Sequence, residues 1–165
     1  MTEAIDAPPH LAAFLARHGL AAAFLRPGVP MPTVTSAAAA IGVPEEHILK
    51  TLVFAGNNGA FVVAIANGNA RVDRKRLETA TGIPRLRAAD PADVLRVTGY
   101  PAGGVAPLGL PDDLTVVVDA ETAQLATAYG GGGREEILLE VRIEDVIRLN
   151  AATVAAIKQE AKAIS

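Results

Sequence analysis

The sequence has no cysteine among its 165 residues. This absence excludes a disulfide framework, a thiolate zinc site and a cysteine nucleophile. Serine is almost as scarce, and neither Ser36 nor Ser165 lies in the Gly-x-Ser-x-Gly context of a serine hydrolase. The histidines His10, His18 and His47 are far apart and have no acidic partner at metal-ligand spacing. We therefore expect neither a metal nor a cofactor.

Long apolar runs are also missing. Residues 1–9 carry Glu3 and Asp6 and lack the basic start and unbroken apolar core of a signal peptide, and no later run approaches membrane-spanning length. We expect a cytoplasmic protein that has no membrane partner. A formal net charge of −3 argues against a protein that coats nucleic acid nonspecifically, because such binding neutralises many phosphates.

Positive charge is nevertheless concentrated in the segment 71–96. This segment holds seven bases against four acids, a local balance of +3 that leaves −6 for the rest of the chain. The bases are Arg71, Arg74, Lys75, Arg76, Arg85, Arg87 and Arg96. Such a segment could meet a polyanion, or it could be a solvated helix surface with local ion pairs.

Apolar periodicity and punctuation by glycine and proline predict one α+β domain spanning residues 1–165, with a flexible N-terminus over 1–9. Helices are predicted over 11–18, 37–41, 74–80, 91–97, 143–149 and 150–164, and strands over 21–25, 49–55, 60–66, 84–88, 114–118 and 136–141. The Gly56-Asn57-Asn58-Gly59 tetrapeptide predicts an antiparallel hairpin. The segment 98–111 is too rich in glycine and proline for regular structure and too apolar for a linker, which is typical of a shaped functional loop.

Three features could carry chemistry. Lys50 is a lone cation in an apolar strand. It could bind an anionic or carbonyl-bearing ligand, or it could simply extend its ammonium into solvent from a strand edge. Periodicity alone favours the second interpretation. The segment 103–107 offers unobstructed backbone N–H groups, but it could equally be a tight structural turn. Asp119 ends a strand and could orient a ligand, although a cap for the next helix is the simpler interpretation. The glycines at 130–133 lack the Gly-Lys-Ser/Thr ending of a phosphate-binding loop.

Four segments, taken in order, resemble the YbaK/ProX family. They are AAAAIGV at 37–43, HILKTLVF at 47–54, TGY at 98–100 followed by GGVAPLG at 103–109, and VVVD at 116–119. The resemblance covers about residues 35–149. Two parts depart from the pattern: four glycines followed by Arg134-Glu135-Glu136 come after Tyr129, and the first thirty residues carry no diagnostic motif.

The resemblance implies an α+β fold with a mixed, partly barrel-like sheet surrounded by helices, similar to the editing domain of bacterial prolyl-tRNA synthetases. It also implies hydrolysis, in trans, of the ester of mischarged tRNA, without a metal or cofactor. The substrate expected from the resemblance is Cys-tRNA(Pro) or Ala-tRNA(Pro), and other branches remove serine or threonine. The partners are then the acceptor end of tRNA and, as a further candidate, prolyl-tRNA synthetase, and we expect a monomer.

The same resemblance places the site. Lys50 matches the family lysine that contacts the terminal adenosine phosphate or the aminoacyl carbonyl, and Gly103 and Pro107 match its G-x-x-x-P loop. We expect Lys50 and Gly103 to act in catalysis. Substrate-binding residues are expected at Thr51, Gly104, Pro107 and Asp119, and tRNA-binding residues at Arg71, Arg74, Lys75 and Arg76.

Two other functions stay open on the sequence. One is a noncatalytic module that binds tRNA or docks on a synthetase. The other is a small-molecule esterase that uses the same pocket with little dependence on RNA.

Overall fold

The computed structural model describes residues 7–21 and 23–160. The helices are α1 (Pro9–Arg17), α2 (Val34–Ile41), α3 (Arg74–Thr81), α4 (Pro91–Thr98) and α5 (Ile143–Leu149). The strands are β1 (Phe24–Leu25), β2 (Leu49–Ala55), β3 (Phe61–Asn67), β4 (Arg87–Ala88), β5 (Thr115–Asp119), β6 (Thr127–Gly131), β7 (Leu138–Arg142) and β8 (Thr153–Ala155). In the described part of the chain, no helix has the length and apolar character needed to cross a bilayer. Of the N-terminus expected to be flexible, residues 1–6 lie outside the described part.

The strands form two sheets. A five-stranded sheet has the order β4-β2-β3-β5-β8, and a three-stranded antiparallel sheet has the order β1-β7-β6. The larger sheet is mixed, because β2 pairs antiparallel with β3 and β4 while β3, β5 and β8 run parallel. One parallel bridge between Ile48 and Tyr129 links the sheets. The predicted α+β class with a mixed sheet is confirmed, but the sheets do not close into the partly barrel-like form expected, because the larger one ends at the short strands β4 and β8.

The β2–β3 hairpin is confirmed. Its register runs from Leu49 opposite Asn67 to Ala55 opposite Phe61. The tight connection needs left-handed backbone, which Asn58 adopts at φ 63° and Gly59 at φ 75°.

The β3 strand is buried on both faces, so its side chains alternate between two cores. Val63 and Ile65 pack in the larger core with α1, α4 and α5, whereas Val62 and Ala64 pack in the smaller core beneath Leu77 of α3. This double burial explains why the strand is a continuous apolar run without alternation.

The predicted helix boundaries are set by caps. Helix α2 begins earlier than the sequence suggested, because Thr33 and Ser36 form a reciprocal capping box. Asp73 caps α3 by accepting from the Arg76 N–H. Gly42 and Gly82 end α2 and α3 in the left-handed conformation, as predicted.

Two parts of the sequence-based assignment are wrong. The helix predicted over 150–164 is absent from its described part, where Thr153–Ala155 instead forms β8 and pairs parallel with β5. The open edge of β5 decides this conformation, because it offers hydrogen bonds that the local alanine content does not reveal. The strand β6 was not predicted, because two of its five residues are glycines.

Candidate functional site

A cleft of about 320 Å³ opens where the start of β2, the first turn of α2, the 101–107 loop and the 132–137 turn meet. Its walls are mostly apolar, and its polar groups belong to a few residues. The lining residues that carry the argument below are Val34, Ala37, Ile48, Lys50, Thr51, Asn69, Gly103, Glu135, Ile137 and Leu138.

Lys50 lies on β2 opposite Ala66, and its Nζ donates a hydrogen bond to the carbonyl oxygen of Ala70 at 2.6 Å. The side chain is half-buried. Burial lowers the pKa of the Lys50 ammonium below its ordinary value, and the nearby charges of Lys158 and Arg71 lower it further. The structure therefore presents a partly desolvated cation at the cleft, held on one side by a backbone carbonyl.

Thr51 follows Lys50 on the same strand and also lines the cleft. Its Oγ1 is buried and has no hydrogen-bond partner among the described residues. A buried hydroxyl without a partner is unfavourable, and in native proteins such a group usually meets a water or a ligand. Thr51 Oγ1 is thus a buried polar atom at the cleft wall whose hydrogen-bonding capacity is unused among the described residues.

The 101–107 loop, called the glycine-proline loop below, contributes Gly103 to the cleft, while Gly104 and Pro107 are not among the lining residues. Gly103 has φ 87°, a left-handed conformation that favours glycine. A Cβ on Gly104 would lie 2.8 Å from the carbonyl carbon of Arg134, and Pro107 packs against the face of Gly130. The Pro107 carbonyl accepts from Asn150 Nδ2 at 2.8 Å. These two residues fix the loop that carries Gly103.

Asp119 is not brought into the cleft. Its side chain is 2 % exposed, and its carboxylate accepts from the backbone N–H groups of Glu121 (3.0 Å), Thr122 (3.4 Å) and Ile157 (3.0 Å). Lys158 Nζ approaches at 3.7 Å. The carboxylate therefore caps the turn after β5 and holds the last described segment, which is the simpler of the two roles that the sequence allowed.

The four basic residues expected to bind tRNA lie on α3 and just before it. Arg71, Arg74 and Lys75 are exposed, whereas Arg76 is paired with Glu160 at 2.6 Å. Arg71 and Arg76 border a second, open cavity of about 800 Å³. Asn69 lines both this cavity and the cleft of Lys50, so the two cavities adjoin.

Asn69 and Glu135 line the cleft but were not singled out from the sequence. Asn69 Nδ2 donates to Thr35 Oγ1 at 3.2 Å and to the Glu45 carboxylate, next to the Ala70 carbonyl that holds Lys50. Neither residue belongs to a local motif, because each reaches the cleft through contacts distant in sequence. Glu135 was visible only as part of the departure from the family pattern.

The described residues of the cleft include the Lys50 ammonium, the buried Thr51 hydroxyl, the Asn69 amide, the Glu135 carboxylate and the backbone of Gly103, which lies beside Glu135. Among the described residues 7–21 and 23–160, no side chain that lines the cleft is a cysteine, serine or histidine, and no group of three or more His, Asp or Glu side chains could hold a metal. Such a site can orient a polar ester, stabilise charge on it and admit water as the nucleophile.

The family model for the aminoacyl-tRNA editing domain matches residues 29–149. Among similar sequences, YwhH of Bacillus subtilis, a protein without an assigned function, is 33% identical over 109 residues, covering 66% of this chain and 69% of its own length. EbsC of Enterococcus faecalis, provisionally named a Cys-tRNA(Pro)/Cys-tRNA(Cys) deacylase, is 30% identical over 114 residues, covering 69% and 70%. A proline–tRNA ligase of Trichlorobacter lovleyi is 32% identical over 94 residues, which are 57% of this chain and 16% of the ligase.

Solved structures agree with the sequence comparison. The hypothetical protein APE2540 superposes with a TM-score of 0.82 at 34% identity, covering 91% of this chain and 99% of the other. A crystal structure described provisionally as a trans-editing enzyme for prolyl tRNA synthetase gives a TM-score of 0.81 at 27% identity, covering 93% and 99%.

Proposed function

Because this chain belongs to the aminoacyl-tRNA editing domain family, we propose that it is a trans-acting deacylase that hydrolyses the ester of mischarged tRNA. The observation that carries the proposal is one cleft lined both by Lys50, whose ammonium is partly desolvated, and by Thr51, whose buried hydroxyl has no partner among the described residues. Both groups suit a substrate that brings its own polar atoms. The name of EbsC and the description of the trans-editing structure support the same activity.

In the proposed reaction, water attacks the carbonyl carbon of the ester, and the bond to the ribose oxygen breaks. The ribose oxygen takes up a proton, so the products are the free amino acid and the uncharged tRNA. Lys50 binds the terminal phosphate or the ester carbonyl, and the backbone at Gly103 places the ester. Thr51 Oγ1 gives the substrate or the attacking water a hydrogen bond. Positioning and electrostatic stabilisation supply the rate, with a ribose hydroxyl helping to orient the water.

The proposed substrate is Cys-tRNA(Pro) or Ala-tRNA(Pro). Apolar side chains of Val34, Ala37, Ile48, Ile137 and Leu138 line the cleft and suit a small side chain. The relation to EbsC and to prolyl-tRNA synthetases supports a proline tRNA. Because one methyl or hydroxyl group in such a pocket is worth only about 1–3 kcal/mol, rates on the two substrates should differ by no more than about 200-fold.

We further propose that Arg71, Arg74, Lys75 and Arg76 contact phosphates near the acceptor end. Arg71 and Arg76 border the cavity that adjoins the cleft through Asn69, and the exposed Arg74 and Lys75 lie on α3 next to Arg76. Binding through phosphates depends on salt, and each lost contact should reduce the slope of log affinity against log salt by about 0.7–0.9. If the Lys75→Gln variant shows the same slope as the wild type, Lys75 does not contact the tRNA.

The proposal is tested with proline tRNA charged separately with cysteine, alanine, serine or proline. Release of the amino acid and binding of the charged RNA are both measured for the wild type, for Lys50→Ala and for Arg142→Ala. Arg142→Ala is the control, because Arg142 is an exposed cation at the end of β7 in the other sheet, where it is paired with Glu144 of α5. We expect the wild type and Arg142→Ala to release the amino acid selectively from a mischarged tRNA, and we expect Lys50→Ala to release none.

Other outcomes would favour the competing functions. Wild-type protein that binds the RNA and hydrolyses no ester would be a noncatalytic module. Equal rates on simple amino-acid esters and on charged tRNA would favour a small-molecule esterase.

A further inference from the structure

The glycine-rich segment after Tyr129 ends in a closed turn between β6 and β7. The Gly132 N–H donates to the Ile137 carbonyl at 2.9 Å, and the Ile137 N–H donates to the Arg134 carbonyl at 3.3 Å. Glu135 lies within this turn, which departs in sequence from the family pattern. The departure therefore falls at a defined place in the fold.

This turn is fixed against the glycine-proline loop through backbone contacts. The Gly133 N–H donates to the Gly104 carbonyl at 2.9 Å. A Cβ on Gly131 would lie 2.4 Å from the Val105 carbonyl oxygen, and one on Gly104 would lie 2.8 Å from the Arg134 carbonyl carbon. The two backbones approach this closely only because glycine occupies both sides. These contacts fix the backbone of Glu135 relative to that of Gly103.

The Glu135 side chain lies over Gly103. A Cβ on Gly103 would be 3.3 Å from Glu135 Oε1 and 3.4 Å from its Cγ. Glu135 lines both the cleft of Lys50 and an adjoining hollow that it forms with Pro30–Pro32, Gly103 and Glu136. It is the one carboxylate among the described residues that line the cleft, and no hydrogen bond or ion pair joins it to another residue in the described part of the chain.

We propose that Glu135 binds the α-ammonium group of the aminoacyl ester. This inference rests on the proposed deacylase function and names a further substrate-binding residue for it. An aminoacyl ester carries its cationic nitrogen on the carbon next to the carbonyl, so a site for it needs an anion near the group that places the carbonyl. Gly103 is that group in the proposed reaction, and the Glu135 carboxylate lies against it. Lys50 would meet the phosphate or carbonyl, and Glu135 would meet the amine.

The arrangement also predicts selectivity. A substrate with a blocked amine has lost its positive charge and would leave the Glu135 carboxylate without its partner. The protein should therefore prefer aminoacyl-tRNA with a free amine over its N-acetylated form. Because Glu135 is exposed, we expect the charge-assisted contact to contribute about tenfold to kcat/KM, which corresponds to about 1.4 kcal/mol.

The test compares free and N-acetylated aminoacyl-tRNA as substrates for the wild type, Glu135→Gln and Glu136→Gln. Glu136 is the matched control, since it borders the adjoining hollow and not the cleft. The expected result is a preference of about tenfold for the free amine in the wild type and in Glu136→Gln, lost in Glu135→Gln. Absence of this preference in the wild type, or its survival in Glu135→Gln, would overturn the inference.

A second measurement separates this inference from the proposed function. Adenosine that carries the amino acid through a stable 3′-amide is titrated into each protein, with its α-amine free or acetylated. If the wild type hydrolyses no charged tRNA, the deacylase proposal fails, and this titration alone decides the role of Glu135. Tighter binding of the free amine that depends on Glu135 supports the inference, and equal binding of the two analogues, or a preference that Glu135→Gln retains, overturns it.

Discussion

Replacing Gly104 with alanine tests how closely the two backbones beside the cleft must approach. The new Cβ would lie 2.8, 2.9 and 3.0 Å from the carbonyl carbon, Cα and nitrogen of Arg134. These are backbone atoms and cannot swing aside, so either the 132–137 turn or the 101–107 loop must move. Gly104 does not have a positive φ, so the strain comes from this contact alone.

The expected cost is that of overpacking, about 1–3 kcal/mol of unfolding free energy. For a chain of this size, each kcal/mol lowers Tm by about 2–4 °C. The displacement also moves Gly103 and Glu135 within the cleft, and a misplacement of about 1 Å can reduce the rate of catalysis about a hundredfold. We therefore expect Gly104→Ala to lose both stability and most deacylase activity.

Urea denaturation and single-turnover deacylation measure the two effects. Gly82→Ala is the matched control, because it places a methyl group in open space at φ 72° and costs about 1–2 kcal/mol of backbone strain far from the cleft. It should be destabilised to a similar degree and keep its activity. A Gly104→Ala protein as stable and active as the wild type would refute the packing argument.

Further predictions concern Tyr100, Asp119 and Lys50. Tyr100→Phe removes a buried hydroxyl that donates to the Leu108 carbonyl at 2.7 Å, and should cost about 1–2 kcal/mol in urea denaturation. Burial also raises the pKa of Tyr100 above its ordinary value of 10.0, so the wild type should lose stability as pH rises beyond that value and Tyr100→Phe should lose less. Asp119→Ala should lower the unfolding free energy by about 3 kcal/mol but leave the single-turnover rate of folded protein within about twofold of the wild-type rate. A variant that is as stable as the wild type but has lost the reaction would show that Asp119 acts in substrate binding. Burial lowers the pKa of Lys50 from its ordinary value of 10.5, so the ammonium should lose its proton at a pH below 10.5. Enzyme-dependent deacylation should therefore decline as the pH rises toward that value, and in Lys50→Arg the decline should occur at higher pH, because a guanidinium keeps its proton.

Local signals predicted much of the fold. The β2–β3 hairpin follows from Asn58 and Gly59, and α3 follows from the cap at Asp73 and the stop at Gly82. Each of these signals lies at the turn or helix end that it determines, which is why sequence alone reveals them.

The errors fall where distant contacts decide the conformation. Strand β6 includes Gly130 and Gly131, and glycine weakens any prediction of a strand. Gly131 is nevertheless needed there, because a Cβ at this position would lie 2.4 Å from the Val105 carbonyl oxygen. Strand β8 forms because β5 offers an edge, and alanine-rich sequence gives no sign of this. In each case tertiary context overrides the local preference.

The candidate site was predictable in part. Lys50 could be singled out because a cation is costly in an apolar strand, and the family resemblance pointed to the loop at Gly103. The unpartnered hydroxyl of Thr51, the bridge made by Asn69 and the position of Glu135 depend on packing between segments that lie far apart in the sequence. Asp119, in contrast, was expected among the substrate-binding residues but lies outside the cleft. Its carboxylate accepts from three backbone N–H groups, and only the fold shows these contacts.

The most direct test of the central claim is a single-turnover measurement of amino-acid release from Cys-tRNA(Pro) and Ala-tRNA(Pro) with the protein in excess. We predict release from at least one of them that is well above the spontaneous rate, absent for Pro-tRNA(Pro), and reduced more than tenfold in Lys50→Ala. Release no faster than in buffer, or an unchanged rate in Lys50→Ala, would contradict a deacylase whose site is the cleft of Lys50.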